Sequence, residues 1–139
     1  MQQKGSVSLW VGWADSGQAL DDYVEETHPP EGGYLSSFAR DFRIRYYDED
    51  FREAEVLVEP ASGIRQMLDG FSYAEIVGPR FEQHYGKPLP CGLNAVVLIY
   101  NFSYGVEVEE ARTPLLRLHF VGVSSYLPET IRAQEPLVR

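Results

Sequence analysis

Residues 93–104 read LNAVVLIYNFSY, a stretch that is apolar at both alternate sets of positions. Successive side chains of a strand point to opposite faces of its sheet, so a strand with two apolar faces is covered on both. The stretch therefore predicts a central strand of a β-sheet.

Two other stretches alternate apolar and polar residues with the period of a strand. They are residues 7–13 (VSLWVGW) and residues 115–123 (LLRLHFVGV). The second is expected to pair with 93–104 as an antiparallel hairpin across an acidic connection. A shorter strand is predicted at 54–59, ended by Pro60, because its valines are β-branched. The residues expected to be buried are Leu98, Ile99, Leu116, Leu118 and Phe120.

Four helices are predicted between these strands. Asp15 and Ser16 are good N-cap residues for a helix over residues 17–27, which should end before a stretch rich in Pro and Gly. Ser72 and Glu75 have the S-x-x-E spacing of a capping box, at the start of a helix that runs to about residue 85. The other two helices are expected at 36–42 and 61–69.

The predicted order of elements is β-α-α-β-α-α-β-β, an α+β fold in which helices pack against an antiparallel sheet. A chain of 139 residues without repeats or linkers is expected to form a single domain over residues 1–139. Its core should cover about residues 5–123, followed by a C-terminal extension at 124–139.

The net charge and composition of the chain favour some kinds of partner and argue against others. A formal net charge of −9 argues against direct binding of nucleic acid, whose phosphates attract Lys and Arg. No apolar run reaches the roughly 18 residues that span a membrane, and the single Cys91 cannot form an intrachain disulfide. We therefore expect a cytoplasmic protein that binds another protein, preferably a basic one.

Acidic residues are concentrated in two stretches of the chain. No Lys or Arg occurs between Asp15 and Thr27, and residues 46–59 contain a single base, Arg52. Like charges four residues apart destabilise a helix, so a helix that needed only solubility would mix its signs. The acids predicted to bind a partner are Asp21, Asp22, Glu25, Glu26, Asp48, Glu49, Asp50, Glu53 and Glu55.

Aromatic residues are interleaved with the second acidic stretch. Tyr46 and Tyr47 are predicted to be part of the partner-binding surface, because tyrosine often supplies the energetic centre of an interface. Core packing is the alternative for both rings, and it is the preferred interpretation for Phe51. Solvated surface is the alternative for the acids.

The sequence gives little support for metal or cofactor chemistry. Asp48 and Asp50 have part of the spacing of a calcium loop, but Arg52 stands where the third ligand should be and the loop glycine is missing. A weak magnesium site remains as the alternative. His28, His84, His119 and Cys91 are too scattered for a zinc site, so we expect no metal and no cofactor.

Two further function classes are alternatives to a partner-binding protein. One is a small hydrolase or metal-dependent enzyme that uses Asp48, Asp50 or Glu53 with His84 or His119. The other is a small-ligand or regulatory module. An enzyme should have a concave pocket with convergent polar groups, whereas a binding protein should have a broad acidic surface.

Several stretches together resemble the immunity protein 22 family. These are VSLWVG (7–12), YYDEDFREAE (46–55), GFSYAE (70–75) and LIYNFSY (98–104). The resemblance covers roughly residues 5–122 and implies an α+β immunity protein, encoded beside a toxin of a bacterial polymorphic toxin system. It implies a non-enzymatic antidote that binds and blocks its cognate toxin, but it assigns no contact residues. The acidic charge further favours a basic toxin, for which a nuclease is one candidate.

Overall fold

The structure is a computed structural model and describes residues 2–26, 33–61, 63–85 and 92–127. It has the predicted α+β architecture of an antiparallel sheet with helices. The strands are β1 (Gln2–Ala14), β2 (Arg52–Ala61), β3 (Leu93–Phe102), β4 (Glu110–Thr113) and β5 (Leu116–Ser125). The helices are α1 (Gly17–Val24), α2 (Ser37–Phe42), α3 (Ile64–Leu68) and α4 (Ala74–Tyr85), and a 3-10 turn, Glu49–Phe51, precedes β2.

The strands lie in the order β2-β3-β1-β5-β4, which corrects the expected hairpin. Leu9 of β1 is opposite Leu98 of β3 on one side and Gly122 of β5 on the other. The first strand thus separates β3 from β5, and β5 forms its hairpin with β4 instead. The expected hairpin is wrong because the acidic connection itself contains β4, which is much closer to β5 along the chain.

The sheet is covered on both faces, as the doubly apolar stretch predicted. Trp10 of β1 packs against Phe38 and Phe42 of α2 on one face, with ring centroids 5.1 and 5.9 Å apart. Met67 and Phe81 belong to a second core, formed by α3 and α4 on the other face. The five residues expected to be buried are all at most 7% exposed. The prediction of a central strand is confirmed.

Two element boundaries differ from the predicted ones in ways that shape the surface. The Ser16 hydroxyl caps α1 by accepting a hydrogen bond from the Ala19 N–H (3.1 Å), but the helix ends at Val24. It stops before Glu25 and Glu26, which would lie at the negative end of the helix dipole. In β2 the chain stays extended through Pro60 to Ala61. This strand is at the edge of the sheet, where a proline is tolerated because its missing N–H is not needed for pairing.

The start of α4 also differs from the prediction. The Ser72 N–H donates to the Glu53 carboxylate (3.0 Å), and the Ser72 hydroxyl donates to the same group. The helix begins at Ala74, one residue later than the capping box implied. The side chain of Ser72 is therefore used to join the α3–α4 connection to β2 rather than to pair with Glu75.

Candidate functional site

The first acidic stretch is displayed by α1. Leu20 and Tyr23 are buried against the sheet, and the opposite side of the helix leaves Asp21, Asp22 and Glu25 exposed. Such an amphipathic helix is held by its apolar stripe, so its polar face is free to carry like charges at a small local cost.

The second acidic stretch surrounds the 3-10 turn and the start of β2. The Asp48 carboxylate accepts a hydrogen bond from the Asp50 N–H (3.0 Å) and so caps the turn. Glu49 and Asp50 are exposed. The cap gives Asp48 a structural role in addition to its charge.

The tertiary structure brings the two stretches together. A cleft of about 420 Å³ is lined by Asp21, Asp22, Glu25, Glu26 and Glu49. A neighbouring cleft of about 650 Å³ is lined by Asp21, Glu53, Glu55 and Asp69. Five acids line the smaller cleft and four the larger, and Asp21 belongs to both, so the two clefts together have eight acids. We call these eight residues the acidic face.

Among the described residues that line the two clefts, Arg52 is the single basic one. Its Nη1 donates hydrogen bonds to the Val24 carbonyl oxygen (2.9 Å) and to the Tyr47 hydroxyl (2.8 Å). These bonds tie the end of α1 to the start of β2. The guanidinium also lowers the local negative charge at the point where the two acidic stretches meet.

Glu53 joins the acidic face to the opposite side of the sheet. Its carboxylate accepts from Ser72, whose carbonyl oxygen accepts from the Tyr100 hydroxyl (2.6 Å). Burial is the largest cause that raises the pKa of Tyr100, and the nearby Glu53 carboxylate raises it further by opposing a phenolate. Glu53 therefore stabilises the fold in addition to contributing charge.

The predicted site residues do not all lie on this face. Asp21, Asp22, Glu25, Glu26, Glu49, Glu53 and Glu55 line the clefts, whereas Asp50 is exposed outside them and Asp48 lines a separate depression beside Phe51. Tyr46 is 58% exposed and lines another depression with Arg43 and Arg45.

The burial of Tyr47 and Phe51 is the reverse of what the sequence predicted. Tyr47 is 1% exposed and packs edge-on against Phe38, so it supports the site from the core instead of forming its surface. Phe51, for which core packing was expected, is 43% exposed. The 3-10 turn Glu49–Phe51 breaks the alternation that would be needed to assign their directions from sequence.

Sequence reasoning missed two residues that line the larger cleft. Asp69 follows α3 as an isolated acid, and Val58 is completely exposed on β2. Neither has a local signal, because Asp69 reaches the acidic face only through the packing of α3 beside β2.

The residues of the enzyme alternative are not brought together. Glu53 is on β2 and His119 is on β5, three strands away, roughly 14 Å at about 4.8 Å per strand. His84 lies against Gly122 of β5. Within the described ranges, no three or more His, Cys, Asp or Glu side chains form a group that could hold a metal ion. His28 and Cys91 lie outside those ranges.

The fold and the acidic face thus define a small α+β protein with two adjoining acidic clefts. The sequence model of the family described as Immunity protein 22 matches residues 7–126, and the chain belongs to that family. Membership supports an antitoxin role, in which the protein binds a cognate toxin. None of the curated proteins and none of the solved structures compared with the chain matches it. No helix in the described part of the chain has the length and apolar character needed to cross a membrane.

Proposed function

We propose that this protein neutralises a basic toxin by binding it through the acidic face. Support comes from two acidic stretches, distant in sequence, that line adjoining clefts on α1 and β2. In the described part of the chain, eight acids and one arginine line these clefts, and the arginine is already hydrogen bonded within the fold. Such a surface favours a partner that supplies Lys and Arg.

The expected advantage of this arrangement is fast capture of the toxin. Clustered charges of one sign raise the association rate of an oppositely charged partner by roughly 10- to 1,000-fold. Exposed charges are screened beyond about 10 Å at 0.1 M salt, so the gain depends on ionic strength. An antidote needs such speed because it protects the cell that makes the toxin.

The proposed contact surface extends beyond the two clefts. We include Tyr46, Asp48 and Asp50 as a rim, since they are exposed or half-buried near the acidic face. Tyr47 is buried and would act on binding only indirectly, because its hydroxyl accepts a hydrogen bond from Arg52. No catalytic step is proposed for this protein.

We also propose that the toxin is a nuclease. A nuclease binds phosphates in a basic channel, and an acidic protein of this kind can cover that channel. If so, a DNA or RNA duplex should compete with this protein for the toxin and raise the apparent Kd. A toxin whose binding to this protein is insensitive to added nucleic acid would contradict this part of the proposal.

The test uses an inactivated form of the toxin domain encoded beside the gene of this protein. Glu25→Lys and Glu49→Lys reverse exposed charges from the two stretches, and both residues line the smaller cleft. Combined, they should slow association by about tenfold or more at low salt, and less at high salt. The matched control is Glu109→Lys, the same charge change at an exposed residue next to β4 on the opposite edge of the sheet.

The outcomes separate specific binding from general charge effects. If Glu109→Lys changes the rates within about twofold while Glu25→Lys and Glu49→Lys each slow association more than that, the acidic face is the contact surface. Equal effects of all three substitutions would mean that only net charge matters. Association and dissociation rates that stay unchanged in the double variant would overturn the proposal.

A further inference from the structure

The outer edge of β2 lies along the larger cleft. β2 is the first strand of the sheet and pairs with β3 on one side only. Consecutive residues 52–58 all line the cleft, together with residues from α1 and from 69–72. Because successive side chains of a strand point to opposite faces, a cleft lined by all of them must follow the free edge of the strand.

Backbone groups on this edge are left without strand partners. Every second residue of an antiparallel strand directs its N–H and C=O away from the neighbouring strand. Residues 53–59 make no backbone hydrogen bond to other described residues apart from their pairing with β3. The register with β3 is regular from Arg52 to Val56 and shifts before Ala61. The regular part of this edge is thus about five residues long, roughly 17 Å, and could accept another strand.

We propose, on the basis of the function proposed above, that the toxin binds by adding an extended, Lys- and Arg-containing segment to the edge of β2. The backbone of that segment would pair within residues 53–58, mainly along the regular part of the edge that ends at Val56. Its side chains would alternate between Asp21 of α1 on one face of the sheet and Asp69 on the other. The strand addition supplies affinity, and the acids at both sides of the cleft select the basic sequence.

The same charges argue against a second copy of this protein as the occupant. Pairing two β2 edges would place Glu53, Glu55 and Glu59 close to identical carboxylates. Like charges on directly opposed strands are destabilising, and acids and a proline on an edge strand are a common protection against self-association. A basic segment removes that repulsion, so the chemistry of the edge favours a cationic partner over a copy of itself.

The test is residue-resolved amide hydrogen exchange of the complete protein, free and bound to the inactivated neighbouring toxin domain. In the free protein, amides directed to β3 should be protected and the alternate amides of 53–58 should exchange quickly. In the complex, those alternate amides should exchange at least about tenfold more slowly. Residues 110–113 of β4, the strand at the opposite sheet edge, are the internal control and should not change.

The other outcomes of this experiment distinguish strand addition from the proposed function and from self-association. A complex that forms without new protection in 53–58 overturns strand addition and leaves binding through the acidic face intact. Absence of any complex contradicts the proposed function itself. Protection of 53–58 in the free protein that grows with protein concentration would show that a second copy occupies the edge, and would also overturn the inference.

Discussion

Arg52 Nη1 lies 2.9 Å from the carbonyl oxygen of Val24 and donates a hydrogen bond to it. The residues are 28 positions apart in the chain, and each belongs to one of the two acidic stretches. The bond satisfies a carbonyl group at the end of α1, where the last helical carbonyls have no partner within the helix. It also places a positive charge at the negative end of the helix dipole. Arg52 therefore allows two repelling stretches to lie side by side.

Replacing Arg52 with alanine should destabilise the fold. The substitution removes hydrogen bonds from a charged group to Val24 and Tyr47, so we expect a loss of roughly 1.5–3 kcal/mol in the free energy of unfolding. Arg112→Ala is the control, because its exposed ion pair with Glu110 should contribute less than about 1 kcal/mol. Urea denaturation measures both. Equal stability losses in the two variants would show that Arg52 does not hold α1 in place.

Two substitutions at Asp48 should separate its charge from its capping bond. Asp48→Asn keeps an oxygen that can accept from the Asp50 N–H, so folding should be nearly unchanged while one negative charge is lost. Asp48→Lys loses both the negative charge and the capping hydrogen bond, and it should lower the free energy of unfolding by about 0.5–2 kcal/mol. Thermal unfolding and toxin association rates are the measurements. Equal stabilities of the two variants would mean that the cap has no energetic role.

Truncation of Tyr46 should weaken toxin binding, whereas truncation of Tyr47 should lower the stability of the fold. Tyr46→Ala removes an exposed ring at the proposed rim and should weaken toxin binding by more than about 1 kcal/mol if that ring is an anchor. Tyr47→Ala empties a core position and should lower the free energy of unfolding by roughly 3–5 kcal/mol. Calorimetric binding and denaturant unfolding distinguish the two. A Tyr46→Ala variant with unchanged affinity would exclude Tyr46 from the interface.

Alkaline pH should destabilise the protein through its buried tyrosines. Burial raises the pKa of Tyr23, Tyr47, Tyr100 and Tyr104 above the ordinary value of 10.0. At a pH below this value the four phenol groups are protonated in both the folded and the unfolded state, so the free energy of unfolding is not reduced by their ionisation. As the pH rises above it, the unfolded state loses protons first, and stability falls by up to about 1.4 kcal/mol per pH unit for each tyrosine. Absorbance of the phenolate should show these groups ionising together with unfolding; their ionisation in the still folded protein would contradict the expectation.

Divalent cations should not bind tightly to the acidic stretches. The sequence places Arg52 where a third carboxylate ligand would be needed beside Asp48 and Asp50. The Asp48 carboxylate also accepts a backbone hydrogen bond, which a metal would have to displace. Calorimetry with magnesium, calcium and zinc should give no saturable binding in the micromolar range. A site of that strength containing Asp48 or Asp50 would restore the enzyme alternative.

Local patterns in the sequence were enough to find most of the elements. The doubly apolar stretch at 93–104 predicted the central strand, and the Ser16 cap with its apolar stripe predicted α1. These predictions succeeded because burial on a strand or helix imposes a short period on the residues of that element alone. The family resemblance could also be read from short stretches, and the match over residues 7–126 confirms it.

The neighbours of each element were decided by the tertiary structure. The insertion of β1 between β3 and β5, the burial of Tyr47 and the use of Ser72 to bind Glu53 all depend on contacts between distant parts of the chain. The sequence by itself determined that two stretches are acidic, but their meeting in adjoining clefts required α1 to pack beside β2. Charge is a property of composition, whereas a surface depends on which faces remain uncovered once the sheet has buried its apolar side chains on both sides.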